Sequence, residues 1–135
     1  MARTPNDILE SLGNVIRQCP DLPDGKFGYI YPATQNFVGL EKLPNERLIS
    51  EDMLGNVRKQ LTYELTVKSK DNLIPQLRKV AVFISDNINE VQSSNGSFEI
   101  VEDPDITDPE LTSWDENYRY FSIDISLLVE FQNKD

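Results

Sequence analysis

The clearest pattern in the chain is its last one. Phe121, Ile123, Ile125, Leu127, Val129 and Phe131 fall on one face of an alternating run. Tyr120, Ser122, Asp124, Ser126, Leu128 and Glu130 fall on the other. Side chains on a strand alternate between faces, so this run predicts a long strand with one buried face, central to its sheet. Leu128 breaks the polar face and predicts a contact with a helix or a neighbour there. Gln60–Val67 repeats the pattern: Leu61, Tyr63, Leu65 and Val67 point one way, and Thr62, Glu64 and Thr66 the other. Phe27, Tyr29 and Tyr31 alternate with Gly28 and Ile30 in a shorter strand that Pro32 ends. Ser97–Glu102 predicts another, with Phe98 and Ile100 on one side.

Two segments have helical spacing instead. Ile8, Leu9, Leu12, Val15, Ile16 and Cys19 share one face of a helix. Thr4 suits its N-cap and Pro5 its first position, with Asp7 three residues after the cap. Gly13 weakens its centre, and Pro20 and Pro23 stop it. Leu73, Leu77, Val80, Ala81, Ile84 and Ile88 recur at steps of three and four in the second helix, where Pro75 fits only near the start. Val82 and Phe83 widen its apolar arc, so it is expected to touch two surfaces.

Segment 33–60 has apolar content without a sustained period. It reads as a protruding arm or hairpin extension, with a helical turn possible over Glu51–Asn56. Phe37, Val38, Leu40, Leu43, Leu48, Ile49, Met53 and Leu54 would then need another surface to cover them, and Arg47 could supply an ion pair between subunits. The candidate subunit interface is Phe37, Val38, Leu40, Leu43, Arg47, Leu48 and Ile49. Glu102 to Glu116 reads as an acidic, proline-punctuated connection carrying one aromatic, Trp114. The order of elements predicts an α+β fold in a single domain spanning 1–135. Two main helices pack on a mostly antiparallel or mixed four-stranded sheet, with the extended arm around 33–60.

Charge narrows the partners. The chain carries 23 acidic and 13 basic residues, a formal charge of −10. Nucleic-acid affinity comes largely from cations meeting phosphates, so a DNA-wrapping surface is not expected. Docking on anionic lipid is not expected either. No stretch has the length and apolarity of a membrane span, and MARTPNDILE lacks the pattern of a secretory signal. Asn95–Ser97 matches a glycosylation pattern but reads as a turn.

Chemistry is argued against residue by residue. The chain has no histidine, which removes the commonest general base, the commonest metal ligand and every His-dependent triad. Cys19, the single cysteine, lies on an apolar helix face and is expected to be a buried, inert thiol. No glycine-rich phosphate loop is present. Asp103, Asp105, Asp108 and Glu110 cluster in one loop, but without the glycine turn of a calcium loop they read as a solvated acidic stretch. Arg58–Lys59 and Arg78–Lys79 read as solvated edges. No enzyme activity, cofactor or metal is expected.

The layout resembles the tail-terminator family of long-tailed phages, also called minor capsid or head–tail neck proteins. The resemblance rests on the opening helix Pro5–Cys19 and on the strand Phe27–Tyr31 with its long excursion. It rests also on QLTYELTVKSKDNLIPQLRKVAVFISDNI, residues 60 to 88, and on the closing YRYFSIDISLLVEF, residues 118 to 131. Segment 33–60 departs from the family layout. The resemblance implies a homohexameric ring, formed alone or only on the tail tube. That ring caps the tube, stops its polymerisation and meets the head connector. It implies a virion protein assembled in the host cytoplasm, with DNA passing through the ring unbound. It brings no active-site residues. Acidity fits this role, because an acidic lumen would not hold a polyanion. The alternative is an acidic protein-binding module or nucleic-acid mimic.

Overall fold

The computed structural model of the protein describes residues 7–23, 25–29 and 36–132. The expected cap at Thr4 and Pro5, and the strand end at Ile30, Tyr31 and Pro32, lie outside the described residues. In chain order the elements are α1 (Ile8–Ile16), β1 (Lys26–Gly28), β2 (Phe37–Lys42), β3 (Arg47–Glu51) and β4 (Val57–Ser69). They continue with α2 (Ile74–Asp86), a 3-10 turn (Ile88–Glu90), β5 (Glu99–Ile100), β6 (Asp105–Ile106), β7 (Glu110–Trp114) and β8 (Arg119–Phe131).

The architecture is α+β, with two helices on a mixed sheet. The sheet has eight strands, more than the four expected, in the order β1-β2-β4-β8-β5. β3 also pairs with β4, and β6 and β7 also pair with β8. The difference has one cause. β4 and β8 are each 13 residues long and antiparallel in unbroken register from Val57↔Phe131 to Ser69↔Arg119. Each therefore offers a long free edge, and the flanking chain fills it in pieces. β2 and β3 lie along β4. β5, β6 and β7 lie along β8. β1 pairs with β2 and is parallel to it.

Alternation does the rest. Leu61, Tyr63, Leu65 and Val67 of β4 and Phe121, Ile123, Ile125, Leu127 and Val129 of β8 are all buried beneath the helices. α1 meets them with Ile8, Leu12, Val15 and Ile16, and α2 with Leu77, Val80 and Ile84. α1 sits over β2, α2 over β8, and the two helices touch. Gly13 has a packing reason: a Cβ there would collide with the hydroxyl of Tyr29, whose ring lies against α1. Cys19 is buried, and burial pushes its thiol pKa up, as expected of an inert position.

The proposed arm divides in two. Val38 and Leu40 are fully buried and Phe37 nearly so, because β2 lies between β1 and β4 in the body of the sheet. Phe37, Val38 and Leu40 are therefore interior positions and do not belong to a subunit interface. Leu43, half-buried, continues the pairing by donating its N–H to the carbonyl of Thr62 at 2.8 Å. Only the part from Arg47 onward stands out from the core. The connection expected over 102–116 is also replaced, since β6 and β7 form there.

Asp7 ties the two ends of this arrangement together. Its carboxylate accepts hydrogen bonds from Ser93 Oγ (2.7 Å), Ser94 N (2.7 Å), Ser94 Oγ (2.8 Å) and Ser97 Oγ (3.2 Å). The start of α1 is thereby fixed to the turn before β5. Burial alone would raise the Asp7 pKa, but these bonds outweigh it and hold the carboxyl far below the usual range.

Leu40→Ala should cost about 3 kcal/mol in urea denaturation, the scale of a core truncation; an unchanged midpoint would return β2 to an arm. Asp7→Ala should cost about 2 kcal/mol at neutral pH, from lost hydrogen bonds to a charged group. Because the folded pKa is depressed, that stabilisation is complete above the ordinary value of 3.8 and is lost as pH falls below it. Wild type and Asp7→Ala should converge in acid, and a constant gap down to the lowest accessible pH would contradict the assignment.

Candidate assembly interface

β3 and β4 form a hairpin at one end of the sheet. Its turn is built by Asp52, whose carboxylate accepts from Leu54 N, Asn56 N and Asn56 Nδ2, each at 2.9 Å. Gly55 takes φ +84°, a conformation that favours glycine. The bonds from Asn56 hold the Asp52 carboxyl below its usual pKa. The turn is thus a locally specified structure and replaces the helical turn expected over Glu51–Asn56. All five residues of β3 are exposed.

The hairpin carries apolar side chains that are largely exposed. Leu48 is 60% exposed, Met53 102% and Leu54 76%, with Ile49 at 43%. Three of the predicted interface residues, Arg47, Leu48 and Ile49, are among these exposed positions. Met53 and Leu54 belong to the apolar content of the same segment but are not among the candidate interface residues. The sequence signal for them was an apolar pair beside the turn residues Asp52 and Gly55. A smaller uncovered pair, Leu111 and Trp114, stands on β7. Ile49 sits at a register shift between Leu48 and Ser50, a bulge that bends the strand.

The second feature is the sheet face turned away from the helices. The registers place Glu41, Glu64 and Asp124 side by side on β2, β4 and β8. Like charges directly opposite each other are unfavourable. Burial raises the Glu64 pKa, and the charges of Asp124 and Glu41 raise it further. The hydrogen bond from Thr66 Oγ1 (3.2 Å) acts in the opposite direction. In the next row the Thr62 and Ser126 hydroxyls lie 3.1 Å apart, with Asp105 beyond Ser126 on β6. At the far end Lys68, almost wholly buried, lies over the Tyr118 ring at 4.5 Å and the Tyr120 ring at 5.7 Å. Leu128 is half-buried on this open face, opposite Gln60.

The third is a cleft of about 1090 Å³ between the 3-10 turn and β5. Ile88, Val91 and Phe98 form its floor, and Glu99, Glu102 and Asp103 line it with charge. Among the described residues, no basic side chain lines it.

Three members of the basic pairs are engaged at the surface: Arg58 with Glu130 (3.2 Å), Lys59 with Glu46 (3.7 Å) and Arg78 with Asp108 (3.2 Å). Of the clustered acids Asp103, Asp105, Asp108 and Glu110, Asp105 lies opposite Ser126 and Glu110 opposite Ser122 along the β8 edge. Among the described residues, no group of three or more Cys, Asp or Glu side chains is placed to hold a metal ion. No described helix is long and apolar enough to cross a membrane. No family model matches the chain, and no curated protein matches it.

Glu64→Gln should stabilise the protein by about 0.5 kcal/mol at neutral pH, the scale of one unfavourable cross-strand pair. A raised folded pKa means that stability falls as pH rises from the ordinary glutamate value through the folded one. The advantage of Glu64→Gln should therefore vanish below that window. Denaturant melts at neutral pH and in acid check both parts, and a destabilised variant at neutral pH would show that the carboxylate is favourably held.

Proposed function

We propose that this protein is a structural assembly subunit of a long-tailed phage, with no chemical step of its own. In this reading copies close into a ring, taken as hexameric, that caps the tail tube, stops its growth and joins the head connector. The observation that carries it is the β3–β4 hairpin, with four uncovered apolar side chains on a chain of charge −10. A strongly charged chain that leaves such a cluster in water is expected to cover it on assembly. A head-to-tail contact that closes into a ring covers one hairpin per copy. The resemblance in layout of 60–88 and 118–131 to tail terminators supplies the specific role. The carboxylate row Glu41–Glu64–Asp124 suits a surface past which DNA moves without sticking. The location follows: assembled in the host cytoplasm and retained in the virion.

A second reading draws on that same open face. An acidic protein-binding module or nucleic-acid mimic would use Glu41, Glu64 and Asp124 to meet a basic partner. Such a protein stays monomeric and binds its partner with steep salt dependence.

Size-exclusion chromatography with light scattering, alone and with tail tubes, separates the two. The ring reading expects a closed oligomer in solution or on the tube end. Met53→Asp with Leu54→Asp should leave circular dichroism and melting almost unchanged, because both side chains are already in water. The same variant should abolish association. A monomer that never associates and leaves tubes uncapped would reject the ring.

A further inference from the structure

We propose that the cleft between the 3-10 turn and β5 of one copy receives the β3 edge and hairpin tip of the next. This rests on the ring reading and names the surface that its subunit contact uses. Four observations carry it. The first is position. β3 flanks β4 on one side of the sheet and β5 flanks β8 on the other, and both lie at the same height. One cross-sheet row runs Leu48, Lys59, Val129, Ile100, and the next runs Ser50, Arg58, Glu130, Glu99. Donor and receptor are on opposite lateral edges, as a head-to-tail contact requires.

The second observation is facing. Leu48 shares the helix side of the sheet with Ile100, through Lys59 and Val129. That is the side from which the cleft floor is built. The third is chemistry. The cleft has an apolar floor under Glu99, Glu102 and Asp103, with no cation among its described lining residues. The hairpin brings apolar side chains beside Arg47, with Glu51 and Asp52 toward its tip.

The fourth observation says how the contact is made. The Ile49 bulge bends the β3 edge, and bent edges are poor templates for adding a strand. The contact is therefore made by side chains entering the cleft, and the sheet does not run on from copy to copy.

Two single variants test this, Leu48→Cys and Asp103→Cys, with the buried Cys19 left in place. Each is treated with a short bismaleimide, alone and mixed one to one, alongside light scattering. The expected result is cross-linked dimer in the mixture and none in either variant alone. Dimer from Leu48→Cys alone would mean hairpin against hairpin and would overturn the proposal. Association without cross-linking in the mixture would also overturn it, while leaving the ring reading standing. Cross-linking with only open chains in solution and on tubes would support the contact and reject the closed ring. A strict monomer without cross-linking, on tubes as well, would overturn both. A charge exchange checks the polar part independently. Arg47→Glu should weaken association about tenfold, and adding Glu102→Arg should restore it. Failure of the second change to rescue the first would remove Glu102 from the contact.

Discussion

The antiparallel ladder between β4 and β8 is the constraint from which the structure follows. Thirteen residues pair on each strand without a register shift. Because successive side chains alternate, one slip of a residue would turn every apolar side chain to the open face. Register and burial therefore fix each other. Leu61, Tyr63, Leu65 and Val67 lie beside Leu127, Ile125, Ile123 and Phe121, and the helices have one surface on which to pack. The ladder is also longer than any single neighbouring strand. Its two outer edges are filled piecewise, and each interruption leaves something exposed: the β3 hairpin on one side, and the β5 cleft and β7 on the other.

How much of this was legible depended on whether a residue's neighbours left a periodic trace. β8, β4 and the inner face of α2 were readable because each buries one face and wets the other. β2 was not readable as a strand. Phe37, Val38, Gly39 and Leu40 are consecutive buried residues, so no alternation marks them. Its apolar content without a period is what suggested an arm. β6 and β7 failed for the opposite reason. They are edge strands with mainly exposed side chains, held by pairing to β8, and a sequence window carries no sign of that pairing. Asp7 could be placed near a helix start, but its link to Ser93, Ser94 and Ser97 spans 86 to 90 residues of chain. The serines showed only as a turn.

The candidate surfaces divide in the same way. Arg47, Leu48 and Ile49 stood out because they were apolar or charged residues that the pattern could not bury. The carboxylate row did not, although Glu64 and Asp124 each sat on the polar side of a legible strand. Their adjacency is a property of register between strands 60 residues apart, and register is set by the ladder. The cleft was invisible for a related reason: Val91, Phe98 and Glu102 come together only once β5 is laid on β8.

Exposed edges and exposed apolar groups are usually hazards, because an open edge can recruit any other strand. Here the hazard is restricted in a specific way. Both exposed edge strands are broken by a register shift, β3 between Leu48 and Ser50 and β7 between Leu111 and Ser113. Each is also short and carries charge: Arg47 and Glu51 on β3, Glu110 on β7. Those features oppose indiscriminate strand addition. They do nothing to cover Leu48, Met53 and Leu54. The hairpin is thus poorly suited to open-ended aggregation but still gains by burying its side chains in a shaped surface. A partner that fits must offer apolar depth, and on this chain such depth lies at the cleft beside β5. The edge that the ladder leaves unfilled on one side and the hollow it leaves on the other are then complementary consequences of the same length mismatch.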